Sequence, residues 1–340
     1  MSDLDPGFLD QKYLVDPYAN WAEREGAPII TGRALDLFAV ETKPWARFDT
    51  NGAICHVDGR CDFLSVFVLD LAPGQTSAPS RHVHDECLIA LSGSGESDIA
   101  LSNGAMRTIS WRAGQAFAAP VNATIQHRNR GSDGARLVAF NDLRYLMGLY
   151  RNEGFLFANS GAFAARQDRA MLAGLLTTLS GEDALSSNDD AADVRHVKLA
   201  DLALGLDLMV LKPGEFSRAR RQMQGQHVLC LEGAGYSLSF TSQSSGLERI
   251  DWRSGVLAGL AGMSFHQHFN PGDRDLRLVT VELGSLSSPM FRSRRAAFGD
   301  TNVYASGAAE IALENQRDDI SRHFAETLRN LRFQGVAFSD

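Results

Sequence analysis

The chain has 340 residues, 44% of them hydrophobic, with a formal net charge of -8 and a pI near 5.6. That length predicts about two domains, each able to bury a core. An acidic chain without clustered Lys and Arg lacks the means to neutralise phosphates, which excludes nucleic-acid binding as a main role.

In chain order, Met1 to Pro6 is acidic and shows no basic region followed by an apolar run, so no secretory leader is expected. The four cysteines, Cys55, Cys61, Cys87 and Cys230, have no CxxC spacing and read as reduced thiols of a cytoplasmic protein. Residues 1–44 read as an N-terminal arm carrying Tyr13, Tyr18 and Trp21. From 45 to 145, short alternating runs (Phe63 to Leu71, Cys87 to Leu91, Ser97 to Leu101, Ala116 to Ala119, Leu137 to Phe140) are punctuated by Gly, Asn and Pro, which predicts an antiparallel sandwich or barrel. Within 146–193 the period turns helical, with Leu172, Leu175, Leu176 and Leu179 on one face, and Ser180 to Asp190 forms a polar linker. Strands resume from 194 to 291. The tail, 292–340, begins with the basic run Arg292, Arg294, Arg295, read as a solvated loop, and carries an amphipathic helix between Ala308 and Arg332. The most apolar stretch, Leu202 to Leu211, is broken by Asp207 and too short to span a bilayer, so no membrane partner is expected.

The two strand-rich regions repeat each other. Leu71-Ala72-Pro73-Gly74 matches Leu211-Lys212-Pro213-Gly214, Leu91 to Gly95 matches Leu231 to Gly235, and Ile109 to Gly114 matches Ile250 to Gly255. A duplication makes each copy a control for the other. In the first copy the frame runs Gly74, Ser80, His82, Glu86, Gly93, then Gly114, Pro120, Asn122, Ile125, Asn129. In the second it runs Gly214, Arg220, Gln222, Gln226, Gly233, then Gly255, Ala261, Met263, His266, Asn270.

These spacings resemble the two motifs of the cupin family, G-x5-H-x-H-x3-E-x6-G and G-x5-P-x-G-x2-H-x3-N, and two copies in register make the chain resemble a bicupin. The resemblance implies an all-β chain of two tandem jelly-roll barrels, each presenting four metal-binding positions. Here those positions hold Ser80, His82, Glu86 and Ile125 in the first copy, and Arg220, Gln222, Gln226 and His266 in the second. Both sets are eroded, yet six of the nine histidines (His82, His84, His127, His227, His266, His268) lie in the motif segments. Strand side chains two residues apart share a face. A site displaced by one layer would therefore use His82, His84, Glu86 and His127 as ligands of a divalent Fe, Mn, Ni or Zn ion, three donors plus water being the simpler version.

In the second copy Arg220 stands where a cation needs a neutral or anionic donor, so metal is not expected there. The alternatives are an anion pocket of Arg220, Gln222, Gln226, His266 and His268, or internal pairing of Arg220 with an acid such as Glu215 or Glu232. His227 faces the opposite side of its strand from Gln226 and reads as a packed histidine. Trp111 and Trp252, at matching places, read as structural.

Three functions stay open. The first is a metal-dependent, dioxygenase-like enzyme acting on a small organic, possibly aromatic, acid in the first barrel, as the resemblance implies. The second is a metal-free lyase, isomerase or hydrolase in which Glu86 and a histidine such as His84 exchange a proton with substrate. The third is a non-catalytic bicupin that binds a small acid. The resemblance also implies a homo-oligomer.

Overall fold

The computed structural model describes residues 16–58, 64–157, 169–179, 185–186, 193–200, 202–221, 225–242, 244–284, 310–311 and 315–333. Gln222, Cys61 and the run Arg292 to Arg295 lie outside the described residues, as does most of the linker Ser180 to Asp190.

Each half is a pair of facing sheets. The large sheet of the first half runs Ile29–Gly32, Thr50–Val57, Ser65–Leu71, Ala135–Asn141, Glu86–Ser92, Gln115–Ala119, Leu176–Thr178, with Lys43–Trp45 hydrogen-bonded to Thr50–Val57. Its small sheet runs Ser80–Arg81, Thr124–Asn129, Ser94–Ala100, Met106–Arg112. The second half repeats the plan. Its large sheet runs Leu185–Ser186, Asp193–Val197, Leu204–Leu211, Leu276–Leu283, Gln226–Glu232, Val256–Leu260, Ala34–Asp36, and its small sheet Glu248–Arg253, Ala234–Phe240, Phe265–Phe269, Ala219–Arg221, Glu310–Ile311. The sheets of each half form a jelly roll without closing into the continuous barrel the sequence suggested.

The burial pattern explains the layering. In the first small sheet Ser94–Ala100 and Thr124–Asn129 alternate between buried and half-buried residues, because one face meets solvent, whereas Phe265–Phe269 of the second is buried throughout, in one cluster with Ile320 and Phe324. Inner strands of the large sheets are buried on both faces, as in Val256–Leu260, while edge strands such as Ile29–Gly32 are not. Their inner faces meet their own small sheets, and their outer faces meet each other in one core that joins Leu206, Leu208, Leu229, Val279 and Val281 of the second half to the first. His227 lies on that outer face, buried, its ring 6.4 Å from Phe140 of the first half. Burial pushes its imidazole down to about 4, so it packs as a neutral ring.

The two halves also exchange strands. Ala34–Asp36, within the expected arm, pairs with Val256–Leu260, and Leu176–Thr178 pairs with Gln115–Ala119. The helical period around Leu176 is therefore overturned: helices cover Leu143–Tyr150 and Glu153–Phe157, a 3-10 turn covers Arg169–Leu172, and Leu176 extends a sheet edge. Local spacing lost to the unpaired backbone groups of that edge. The closing helix is shorter than expected, Asp318–Phe333, and buries Ile320 and Phe324 against Tyr236 and Phe269. No helix among the described residues is long and apolar enough to cross a membrane.

The repeat glycines fall at matched turns. Gly93 and Gly233 have φ of +75° and +83°, and a Cβ there would come within 2.7 Å of Ala135 and 2.3 Å of the Asp275 carbonyl, so no other residue fits.

Candidate metal centre and a second cavity

In the first half, the turn after Ser80–Arg81 carries His82 and His84, and Glu86 opens the next strand. All three side chains are buried, and one ligand atom from each lies within 4.8 Å of the others. His82 Nδ1 is 2.9 Å from the His84 carbonyl oxygen. A carbonyl only accepts, so Nδ1 carries a proton and Nε2 is the nitrogen turned towards Glu86. That atom has no hydrogen-bond partner and faces Glu86 Oε1 at 3.5 Å. His84 Nε2 is 3.8 Å from Glu86 Oε2, and neither of its ring nitrogens is hydrogen-bonded.

Burial, followed by the His82 ring, pushes His84 down to about 3. Burial works to raise the Glu86 carboxyl, but His82 and His84 outweigh it and hold that group well below the usual carboxylate range. An ionised carboxylate beside two imidazoles whose inward nitrogens have no hydrogen-bond partner is a donor set that a divalent metal takes up, displacing any imidazole proton. The donor set therefore fits a cation. One adjustment is needed. The His82 and His84 rings are stacked, with centroids 3.6 Å apart and planes within 5°. Imidazole lone pairs lie in the ring plane, so both rings converge on one ion only after one leaves the stack.

The structure does not bring His127 into this cluster. It shares the buried face of Thr124–Asn129 with Ile125 and Asn129, as strand parity requires, but its Nδ1 is 2.7 Å from Ser97 Oγ, which accepts the Trp111 indole N–H at 2.9 Å. Burial pushes His127 down to about 4, against the pull of Glu86. The second half repeats the arrangement atom for atom: His268 Nδ1 is 2.6 Å from Ser237 Oγ, which accepts from Trp252. Because the duplicate holds no such His-His-Glu cluster among its described residues, this network belongs to the scaffold. It also gives Trp111 and Trp252 their structural role.

Beside the cluster lies a cavity of about 150 Å³. Aromatic rings from four segments wall it: Trp21, Phe48, Phe67 and Phe157, with Arg47 and Arg81 at its edge. Trp21 and Phe157 stack at 5.6 Å, and Arg47 lies 4.1 Å over Phe157 while clamping Glu25 through two hydrogen bonds of 2.7 and 2.5 Å. Arg81 donates to the Thr124 hydroxyl at 3.2 and 3.0 Å, and among the described residues no carboxylate pairs with it. Sequence reading missed these walls, because Trp21 and Phe157 come from outside the repeat.

The second half encloses a cavity of about 140 Å³ lined by Arg220, Gln226, His266 and His268, four of the five residues expected there, Gln222 being the fifth. His196 and Asp207 also line it, with Nδ1 to Oδ1 at 2.5 Å, and Gln226 Nε2 donates to the buried Glu282 at 2.9 Å. Sequence reading missed His196, Asp207 and Glu282.

No protein-family model matches the chain, and no curated protein does. Solved structures do. The formate complex of Lactobacillus farciminis oxalate decarboxylase aligns with a TM-score of 0.55 and 11% identity, over 75% of this chain and 87% of that one. A tryptophan-to-phenylalanine variant of Bacillus subtilis oxalate decarboxylase aligns with a TM-score of 0.54 and 12% identity, over 75% and 78%. A further B. subtilis structure, of an enzyme with Mn(II) centres, gives 0.53 and 12% over the same shares. The chain has the bicupin fold. At these identities the likeness establishes the fold alone. The chain departs from the motif its resemblance implied at Ser80 and Ile125, keeps His82 and Glu86, and brings His84 beside them.

Proposed function

We propose that this bicupin holds a divalent cation in its first half through His82 and Glu86, with His84 joining once its ring turns, and there oxidises a small aromatic carboxylic acid in a dioxygenase-type reaction. His82 Nε2, buried without a hydrogen-bond partner 3.5 Å from a buried carboxylate, carries the reading. A buried carboxylate calls for positive charge beside it, which a metal ion held by both side chains supplies. When bound, the ion supplies Lewis acidity and, as Fe(II) held by two histidines and one carboxylate with open positions, a site for O2 chemistry. Overall, both atoms of O2 enter the cleaved acid.

The protein's own groups do the rest. Trp21, Phe48, Phe67 and Phe157 hold an apolar ring and exclude water. Arg81 receives the carboxylate, Glu25 anchors Arg47 at the rim, and His127 braces the fold through Ser97 and Trp111. A homo-oligomer, implied by the resemblance, is proposed as well and is read from light scattering.

Protein purified without chelator is expected to carry close to one equivalent of Fe, Mn, Ni or Zn by elemental analysis and to take up O2 with hydroxybenzoates faster than with oxalate. Glu86→Gln and His82→Gln lose both properties. A metal-free sample that none of the four ions stabilises removes the reading. The stacked rings favour a second reading, in which protonated His82 pairs with Glu86 and the two exchange a proton with substrate. Turnover that survives chelation and disappears in Glu86→Gln selects it.

A further inference from the structure

The His-His-Glu cluster has a neighbour with an unused hydrogen-bond donor. Cross-strand pairing sets Ser65, Asn141, Glu86 and Ala119 side by side in one row of the first large sheet, on the face that also carries Phe67 of the cavity wall. Directly opposed strand residues share a face and hold their Cβ atoms about 4.5–5.5 Å apart, so the Asn141 amide stands beside the Glu86 carboxylate. Asn141 is fully buried. Its Oδ1 accepts the Leu143 N–H at 3.2 Å, at the start of the helix Leu143–Tyr150, and this bond settles which end of the amide is oxygen. Nδ2, the other end, is buried without an acceptor. Ser65, on the far side of Asn141 from Glu86, takes the Arg144 N–H at 3.1 Å.

The start of the helix uses only the oxygen. Ser or Thr would supply one without burying an unmatched amide, which is destabilising. The duplicate shows that this register lets amide and carboxylate meet: in the matching row Gly205, Glu282, Gln226, Leu260, the Gln226 Nε2 donates to Glu282 at 2.9 Å. In the first half the amide is one methylene shorter. The Glu86 carboxylate there lies 3.5 Å from His82 Nε2 and 3.8 Å from His84 Nε2, with no hydrogen bond from Asn141. A carboxylate that binds a cation through one oxygen keeps acceptor capacity on the other, and a group that hydrogen-bonds a metal ligand fixes its orientation.

We infer that Asn141 is a positioning residue for the metal centre: its Nδ2 donates to the Glu86 oxygen left free by the cation and so holds the carboxylate in its binding orientation. The inference rests on the divalent-cation reading of His82, His84 and Glu86. Its test is calorimetric titration of the full chain, stripped by chelator, with Mn(II) and with Zn(II), in wild type, Glu86→Gln, Asn141→Ser and Asn141→Ala. Ser keeps an oxygen for the Leu143 N–H and Ala does not, so a residue that only caps the helix lowers the Tm in Ala alone and leaves metal affinity unchanged in both. The expected result is a loss of affinity of about tenfold or more in both Asn141 variants, the usual effect of removing a hydrogen bond to a metal ligand. Infrared difference spectra, metal-loaded minus metal-free, supply a readout that capping does not move: the carboxylate stretching bands of the metal-bound wild type are expected to shift in both variants. Retained affinity or unshifted bands in the folded Asn141 variants overturns the inference and leaves the metal reading standing. A wild type that binds neither ion, or whose binding is undiminished in Glu86→Gln, removes the metal reading and this inference with it.

Discussion

Replacing Glu86 by Gln separates a metal ligand from a structural acid, because the two roles predict opposite changes in the metal-free protein. If Glu86 serves chiefly as the partner of a charged histidine in a buried ion pair, removing its charge strands that partner and costs about 3–5 kcal/mol. If it serves a metal and His82 is neutral without it, the metal-free wild type holds a carboxylate against a bare Nε2 at 3.5 Å. A Gln amide in its place donates to that nitrogen, a gain of about 1 kcal/mol. Metal at a hundredfold its Kd adds about 2.7 kcal/mol to the wild type. With an unfolding entropy of roughly 2.1 cal/mol/K per residue, a chain this long gains about 4 °C in Tm. Differential scanning calorimetry of both proteins, with chelator and then with Mn(II) or Fe(II), measures the four values. The expected pattern is a variant at least as stable as wild type in chelator and unresponsive to metal. A variant that melts several degrees lower in chelator, beside a wild type that metal does not shift, refutes the reasoning.

Three further predictions concern buried groups and a strained turn. Asp85 and Asp142 are both buried; Asp142 accepts the Asp85 backbone N–H at 2.9 Å, and Asp85 accepts from Ala203 of the second half at 2.7 Å. Burial raises Asp85 to about 6, and burial plus the Asp85 charge raises Asp142 well above the usual carboxylate range. The folded state then binds more protons than the unfolded one, so the pair's contribution weakens as pH rises from about 4 through 6 and beyond. Asp142→Asn keeps the accepting oxygen and is expected to stabilise the protein at pH 8 by ~1–3 kcal/mol, with little gain at pH 4; equal gains at both, seen in urea melts, sink the assignment. His227 acts in the opposite direction: neutral in the fold with its pKa lowered to about 4, it costs stability as pH falls from about 6.5 towards 4. His227→Leu is expected to flatten the acid limb of the stability profile, and an unchanged limb refutes this. Met263 sits at φ +64°, about half exposed, at the turn where the first half has Asn122 at φ +59°. Met263→Gly is expected to raise stability by up to ~1 kcal/mol by removing left-handed strain, and a lower Tm contradicts it.

The duplication and the motif frame were legible in sequence because turn glycines and buried tryptophans are fixed by backbone sterics and packing, which leave the same residue types in both copies. So was the convergence of His82 and His84 on Glu86, since spacing placed them within a few residues of one another. What sequence hid depended on strand pairing. Asp207 read as a mere interruption of the apolar run Leu202 to Leu211, and its meaning appears only when its neighbours across the sheet, His196 and Thr280, are known. Trp21 and Phe157 escaped for a related reason: each walls the cavity from a segment outside the repeat, and no periodicity announces that. The helical reading of Leu172 to Leu179 failed because a strand edge recruited Leu176–Thr178.

One cross-strand pair shows how the halves diverged in chemistry while keeping the fold. In the first half Glu86 lies opposite Asn141; at the equivalent register of the second half Gln226 lies opposite Glu282. Carboxylate and amide have changed places. In the second half the amide hydrogen-bonds the carboxylate and so meets that charge internally. In the first, the carboxylate points at two imidazoles and the Asn141 amide nitrogen has no hydrogen-bond partner. A buried carboxylate whose opposing amide does not hydrogen-bond it keeps its charge available for an external cation. The position of one acid on one of two adjacent strands thus separates a carboxylate that faces imidazoles from one that an amide holds, on otherwise matching frames.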